Sequence, residues 1–134
     1  MAVALKTYPK DISKLCNVEI IPNEKTVLTI GQAASINHPM IYKEVTNTKN
    51  IDMFIESIKD LKIGKVPDNS FKKFSELEAF QIIITQNDKE LLSLCIRGNK
   101  YISITESDGS VSIYKVLNKS IDTDYLMSLY NSGI

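Results

Sequence analysis

Residues 79–117 read AFQIIITQNDKELLSLCIRGNKYISITESDGSVSIYKVL, and how this stretch divides decides the fold. Asn87-Asp88, Gly98-Asn99 and Asp108-Gly109 are turn signals. Between them lie four short runs rich in Ile, Leu, Tyr, Ser and Thr, the composition of strands. Such runs joined by tight turns form a four-stranded antiparallel meander. A helix-period segment stands before it and another after it. Together they predict one α+β domain: a curved antiparallel sheet, the C-terminal meander plus N-terminal strands, with two main helices packed on one face.

The turns also predict register. A three-residue loop over Asn87–Lys89 aligns Phe80, Ile82 and Ile84 with Ile96, Leu94 and Leu92, which puts apolar residues opposite each other. At the middle turn a tight Gly98-Asn99 loop pairs Ile96 with Tyr101, whereas a three-residue loop pairs Ile96 with Ile102; both remain open. A two-residue Asp108-Gly109 turn pairs Ile104 with Ile113. It gathers Tyr101, Ser103, Thr105, Ser112 and Tyr114 on the opposite face. Because side chains alternate with a period of two, a slip of one residue would reverse this assignment.

Toward the N-terminus, residues 1–15 read as an irregular lead and 16–134 as the single domain. Val18–Ile21 and Thr26–Ile30 flank the turn-rich Pro22-Asn23-Glu24-Lys25 and predict a short hairpin. Gly31–Met40 lacks periodicity and predicts a loop, and Ile41–Val45 returns to strand-like alternation. Ile51, Phe54, Ile55 and Ile58 recur at the spacing of one helical stripe, which predicts a helix over residues 50–60 with Asn50 as its cap. Leu61–Val66 predicts a strand ended by Pro67–Ser70, and Phe71–Leu77 a single helical turn. Ile121, Tyr125, Leu126, Leu129 and Tyr130 predict the closing helix, capped by Ser120 or Asp122 and stopped near Gly133.

A chain of 134 residues is long enough to bury one core without metal or disulfide support. Its 16 basic and 16 acidic residues cancel, and Arg97 is the only arginine. That balance argues against nucleic acid as a partner, since phosphate and guanine recognition draws on net positive charge and the arginine fork. No apolar run approaches the roughly 18–20 residues of a bilayer-spanning helix. The few apolar residues before Lys6 fall short of a signal-peptide core. Cys16 and Cys95 are expected to be two free, half-buried thiols rather than a disulfide closing a long loop. Neither stands at ligand spacing from the single histidine, His38, so no metal site and no cofactor are expected.

The predicted hydroxyl face, Tyr101, Ser103, Thr105, Ser112 and Tyr114, is the candidate binding surface, since tyrosine offers contact area with a polar handle. The same residues are also ordinary strand formers on a wet face. Glu106-Ser107-Asp108-Gly109 lacks the ligand count of a calcium loop. His38 beside Pro39 has no evident nucleophile, and Glu76 with Glu78 reads as solvated charge, so no catalytic residue is assigned. Asn118-Lys119-Ser120 matches a glycosylation acceptor, which matters only in a eukaryotic secretory context.

The element order resembles one half of a TATA-binding-protein-like fold in architecture. Asn50–Leu61, Gln81–Thr85, Lys100–Thr105 and Tyr125–Tyr130, with the Lys- and Ile-rich composition, resemble small lipoprotein-type domains of low-GC Gram-positive bacteria. The resemblance implies a bacterial cell-surface protein. Ser13-Lys14-Leu15 before Cys16 departs from it, lacking the small residues that precede a lipid-anchored cysteine. Without an anchor the expected place is the cytoplasm. The expected function is a non-enzymatic binding module for a protein or cell-envelope partner. The alternatives are an intracellular inhibitor or immunity-type protein and, last, a small enzyme working near His38.

Overall fold

In the computed structural model, the described residues are 9–35, 37–66, 77–105 and 108–134. The expected stop at Pro67–Ser70, most of the helical turn at 71–77, Glu76 and the Glu106-Ser107 pair lie outside them. The elements are β1 (Lys10–Asp11), a 3-10 turn (Ile12–Lys14), β2 (Thr26–Ala33), β3 (Ile41–Val45), α1 (Thr48–Ile58), β4 (Lys62–Lys65), β5 (Ala79–Gln86), β6 (Lys89–Arg97), β7 (Tyr101–Thr105), β8 (Val111–Val116) and α2 (Thr123–Asn131). The strands form one antiparallel sheet in the order β1-β4-β8-β7-β6-β5-β2-β3. The α+β expectation holds. No helix among the described residues is long and apolar enough to cross a membrane.

One core joins the layers. Phe80, Ile82 and Ile84 of β5, Leu92, Leu94 and Ile96 of β6, and Ile102 and Ile104 of β7 cluster with Ile51, Phe54, Ile55 and Ile58 of α1 and with Leu126, Leu129 and Tyr130 of α2. The period-two pattern of the strands and the 3.6 pattern of the helices thus deliver their apolar residues to the same interior. Asn47, not Asn50, caps α1: its Oδ1 accepts from the Asn50 N–H at 3.0 Å. The helix therefore begins a turn earlier than its apolar stripe. Asp122 caps α2 by accepting from the Tyr125 N–H at 3.0 Å, and Asp124 in the first turn complements the helix dipole.

Three hairpins resolve the register. Phe80, Ile82 and Ile84 face Ile96, Leu94 and Leu92 as expected, but through different geometry. Asn87 and Asp88 both take positive φ, 54° and 65°, the signature of a two-residue type I′ turn, and the ladder shifts between Ile84 and Thr85 so that Leu91 bulges. Bulge plus short turn brings about the same pairing as the longer loop. At the middle turn Ile96 faces Ile102, the three-residue alternative, with Gly98 at φ 59°. The last hairpin departs from expectation. Ser103 faces Ile113 and Ile104 faces Ser112, because the connection runs from Thr105 to Val111 rather than through a two-residue turn at Asp108-Gly109. The one-residue shift turns Tyr114 and Val116 inward beside Ile102 and Ile104, and both are buried.

The N-terminal region also differs from its expectation. Lys10–Asp11 pairs with β4, the Ile12 N–H donates to Leu61 O at 3.0 Å, and Ile12 is fully buried. Part of the expected irregular lead is therefore sheet and core. Val18–Ile21 forms no strand, although Val18 and Ile20 are buried and Glu19 and Ile21 exposed. The reason is topological: β2 has β3 on one side and β5 on the other, so neither of its edges is left for a hairpin partner. The Pro22–Lys25 turn survives, held by Thr26 N–H to Asn23 O at 3.0 Å and by Gln86 Nε2 reaching Ile21 O at 3.0 Å and Thr26 Oγ1 at 2.9 Å. β2 itself runs on to Ala33, shortening the expected 31–40 loop.

Candidate functional site

The five hydroxyl-bearing residues do not share a face. Tyr101, Ser103 and Thr105 alternate onto the side of β7 away from the core, while Ser112 and Tyr114 lie opposite Ile104 and Ile102 on the core side. Tyr114 packs in the hydrophobic cluster, so its ring is a core element. On the outward side Thr105 is exposed, Tyr101 half-buried and Ser103 buried. Ser103 stands directly across from Cys95, whose thiol is pushed up by burial, against the opposing pull of the Arg97 charge and a hydrogen bond with Ser103.

Both cysteines are free, as expected, but only Cys16 is half-buried; Cys95 is buried. Cys16 donates its S–H to Ile12 O at 3.6 Å, and burial pushes its thiol up to about 11. At neutral pH it stays protonated and is a packing residue rather than a nucleophile. His38 sits in an exposed turn with its Nδ1 2.9 Å from Ser35 Oγ, and the His38 N–H donates to Ser35 O at 3.1 Å. The contact closes a local turn. Glu78, of the expected acidic pair, accepts from Gln32 Nε2 at 3.0 Å. Asn118 spends its amide on structure: Nδ2 donates to Asp60 O at 2.9 Å and Oδ1 accepts from the Lys62 N–H at 3.0 Å. Among the described residues no three His, Cys, Asp or Glu side chains converge as a metal site would require.

The residues the sequence did not single out are on β3, the last strand of the sheet. Ile41 is 60 % exposed and Tyr42 53 % exposed, two adjacent apolar side chains that alternate onto opposite sides of an edge. The Tyr42 ring lies over Gly31 of β2, its cross-strand partner; a Cβ at Gly31 would meet Tyr42 Cε1 at 2.7 Å. Glycine there leaves the space that the Tyr42 ring and Met40 occupy. Glu44 makes both of its backbone hydrogen bonds outward, donating to Ile134 O and accepting from the Ile134 N–H, each at 3.0 Å. Groups two residues apart on a strand point the same way, so the N–H and C=O of Tyr42 also point away from β2. Gly133 permits the Ile134 bridge, since a Cβ there would stand 2.9 Å from Lys43 Cβ and 3.1 Å from Glu44 O. On the core side Lys43 Nζ sits 4.6 Å from the centroid of the Tyr130 ring, fastening α2 to the strand.

Alternation at residues 41–45 is visible in the sequence, but nothing local says that the strand is an edge. The available signal is the pair of consecutive apolar residues, Ile41 and Tyr42, which a strand with one buried face does not need. No protein-family model, curated protein or solved structure matches this chain.

Proposed function

We propose that this protein is a non-catalytic binding module that recognises an extended segment of a protein partner by adding it as a strand to the edge of β3 at Tyr42, which no strand among the described residues covers. The observation that carries it is the edge itself: Tyr42 turns its backbone donor and acceptor outward beside the exposed side chains of Ile41 and Tyr42, the donor and acceptor pattern that strand addition uses. The reciprocal Glu44–Ile134 bonds supply a local precedent, a residue already paired with that edge in the antiparallel manner. Cancelled charge and a single arginine favour a protein over a polyanion as the partner. A sheet curved around its two helices, as its twist favours, would hold β3 clear of the rest of the domain.

The test is selection of ten-residue peptides from a displayed library, followed by affinity measurement on three proteins. Tyr42→Pro removes the outward N–H and the ring while sparing the ladder to β2, because proline is tolerated at such edge positions. The selected peptides are expected to bind it at least about tenfold more weakly than wild type, the worth of an anchor plus a hydrogen bond. A Tyr101→Ala/Thr105→Ala variant should bind them unchanged. Loss in that variant instead, with Tyr42→Pro unaffected, would move recognition to the outward sheet face and overturn the edge assignment.

A further inference from the structure

The β3 edge at Tyr42 complements itself. A Cβ at Gly31 would stand 2.7 Å from both Met40 Cγ and Tyr42 Cε1, so these two side chains lie on one side of the sheet, with Ile41 alternating to the other. The extended backbone therefore reaches back to Met40. Its N–H and C=O point away from β2 as those of Tyr42 do, and neither residue has a backbone partner on that side among the described residues. The open run is bounded at both ends. Ile134 occupies the outward groups of Glu44, and the His38 N–H is spent on Ser35 O. What remains is a three-residue edge, Met40-Ile41-Tyr42, with Ile41 and Tyr42 exposed.

We infer that this edge pairs with the same edge of a second copy of the chain, antiparallel about a two-fold axis at Ile41, in competition with the partner segment; the inference rests on the reading that β3 accepts an added strand. The register follows by elimination, because the outward residues of one strand must face those of the other. Centring on Lys43 sets like charges opposite each other and places Tyr42 against Glu44, which Ile134 has taken. Centring on Tyr42 places Met40 against Glu44 and leaves one reciprocal pair. Centring on Met40 places Tyr42 against His38, whose N–H is spent, and again leaves one. Centring on Ile41 places Tyr42 against Met40 twice, which makes four hydrogen bonds. It also brings the two Ile41 side chains together on the axis and sets each Tyr42 beside a Met40, apolar against apolar. Three residues a side bury far less than the roughly 1,200 Å² of a stable interface, so the dimer is weak and concentration-dependent.

The experiment is sedimentation equilibrium of the full chain at concentrations up to about 2 mM, where wild type is expected to pass from monomer to dimer with a dissociation constant of about 0.1–1 mM. Ile41→Lys sets two ammonium groups on the axis, at a residue exposed enough to change without loss of fold, and should weaken the dimer at least about tenfold. Ile41→Cys reads the register. A pair of this kind brings the Cα atoms to about 4.5 Å, within disulfide range, so the variant should cross-link on mild oxidation at least about tenfold faster than Val111→Cys, which is similarly exposed on β8. Wild type that stays monomeric at about 2 mM, or equal cross-linking of the two cysteine variants, would overturn the self-pairing. If selected peptides still bind that monomer at Tyr42, strand addition stands and only the second copy falls. Dimer formation that Ile41→Lys abolishes, in a chain to which no selected peptide binds, would make the second copy the occupant of the edge and remove the partner segment instead.

Discussion

Phe54→Ala is expected to lower the free energy of unfolding by about 3–5 kcal/mol, measured by urea denaturation. Phe54 is fully buried, at the centre of the α1 stripe, and its ring meets the interior that both helices and the sheet share. It also lines a cavity between α1 and α2, so truncation would enlarge an existing space rather than open a new one that neighbours could close. Large-to-small changes cost most where the site cannot collapse, which places this one at the upper end of the range. The adjacent Met53 is about half exposed on the other side of the helix, and Met53→Ala should change stability by less than about 0.5 kcal/mol. Comparable losses for the two variants would mean that α1 presents a different face to the sheet.

The second large effect belongs to β8. Tyr114→Lys is expected to cost at least about 3 kcal/mol or to prevent folding, since it puts an unpaired ammonium group among Ile102, Ile104 and Val116. Tyr114→Ala, which buries no charge, should fold and lose about 3 kcal/mol. Val111→Lys on the same strand should cost less than about 0.5 kcal/mol, because Val111 is 57 % exposed. The register predicted from a two-residue Asp108-Gly109 turn reverses the role of Tyr114, placing it with Tyr101 and Ser103 on the outward face. Tolerance of Tyr114→Lys would restore that register and the hydroxyl face with it.

Local chemistry made much of this architecture legible. The stripes of α1 and α2 are written at helical spacing, and the pairing of β5 with β6 follows from apolar alternation on both strands, whichever turn connects them. That redundancy is why the pairing survives although the loop is a type I′ turn with a bulge at Leu91 and not a three-residue connection. β7 and β8 lack the redundancy. Ile113 and Tyr114 are both credible core residues, so only loop length separates the two registers, and Asp108-Gly109 signals a turn without fixing where the strands rejoin.

The other misreadings are non-local. Val18 and Ile20 alternate like a strand and are buried like one, yet β2 is already paired on both sides by segments at Ile41–Val45 and Ala79–Gln86. The lead at Lys10–Asp11 gains a partner only because Lys62–Ile63 lies at the opposite end of the sheet. Edge position, which makes Ile41 and Tyr42 notable, is a property of strand order, and strand order is set by crossovers that no window of sequence contains. The candidate surface was therefore the part least readable in advance, while the core that holds it was the most.

The sheet's register sends Tyr114 inward and divides the hydroxyl residues between two faces. The most direct measurement is the pattern of cross-strand proton contacts between β7 and β8 in a nuclear Overhauser spectrum. The register seen here predicts a strong contact between the α-protons of Ser103 and Ile113 and another between those of Tyr101 and Lys115. A ladder that pairs Ile104 with Ile113 instead would contradict it.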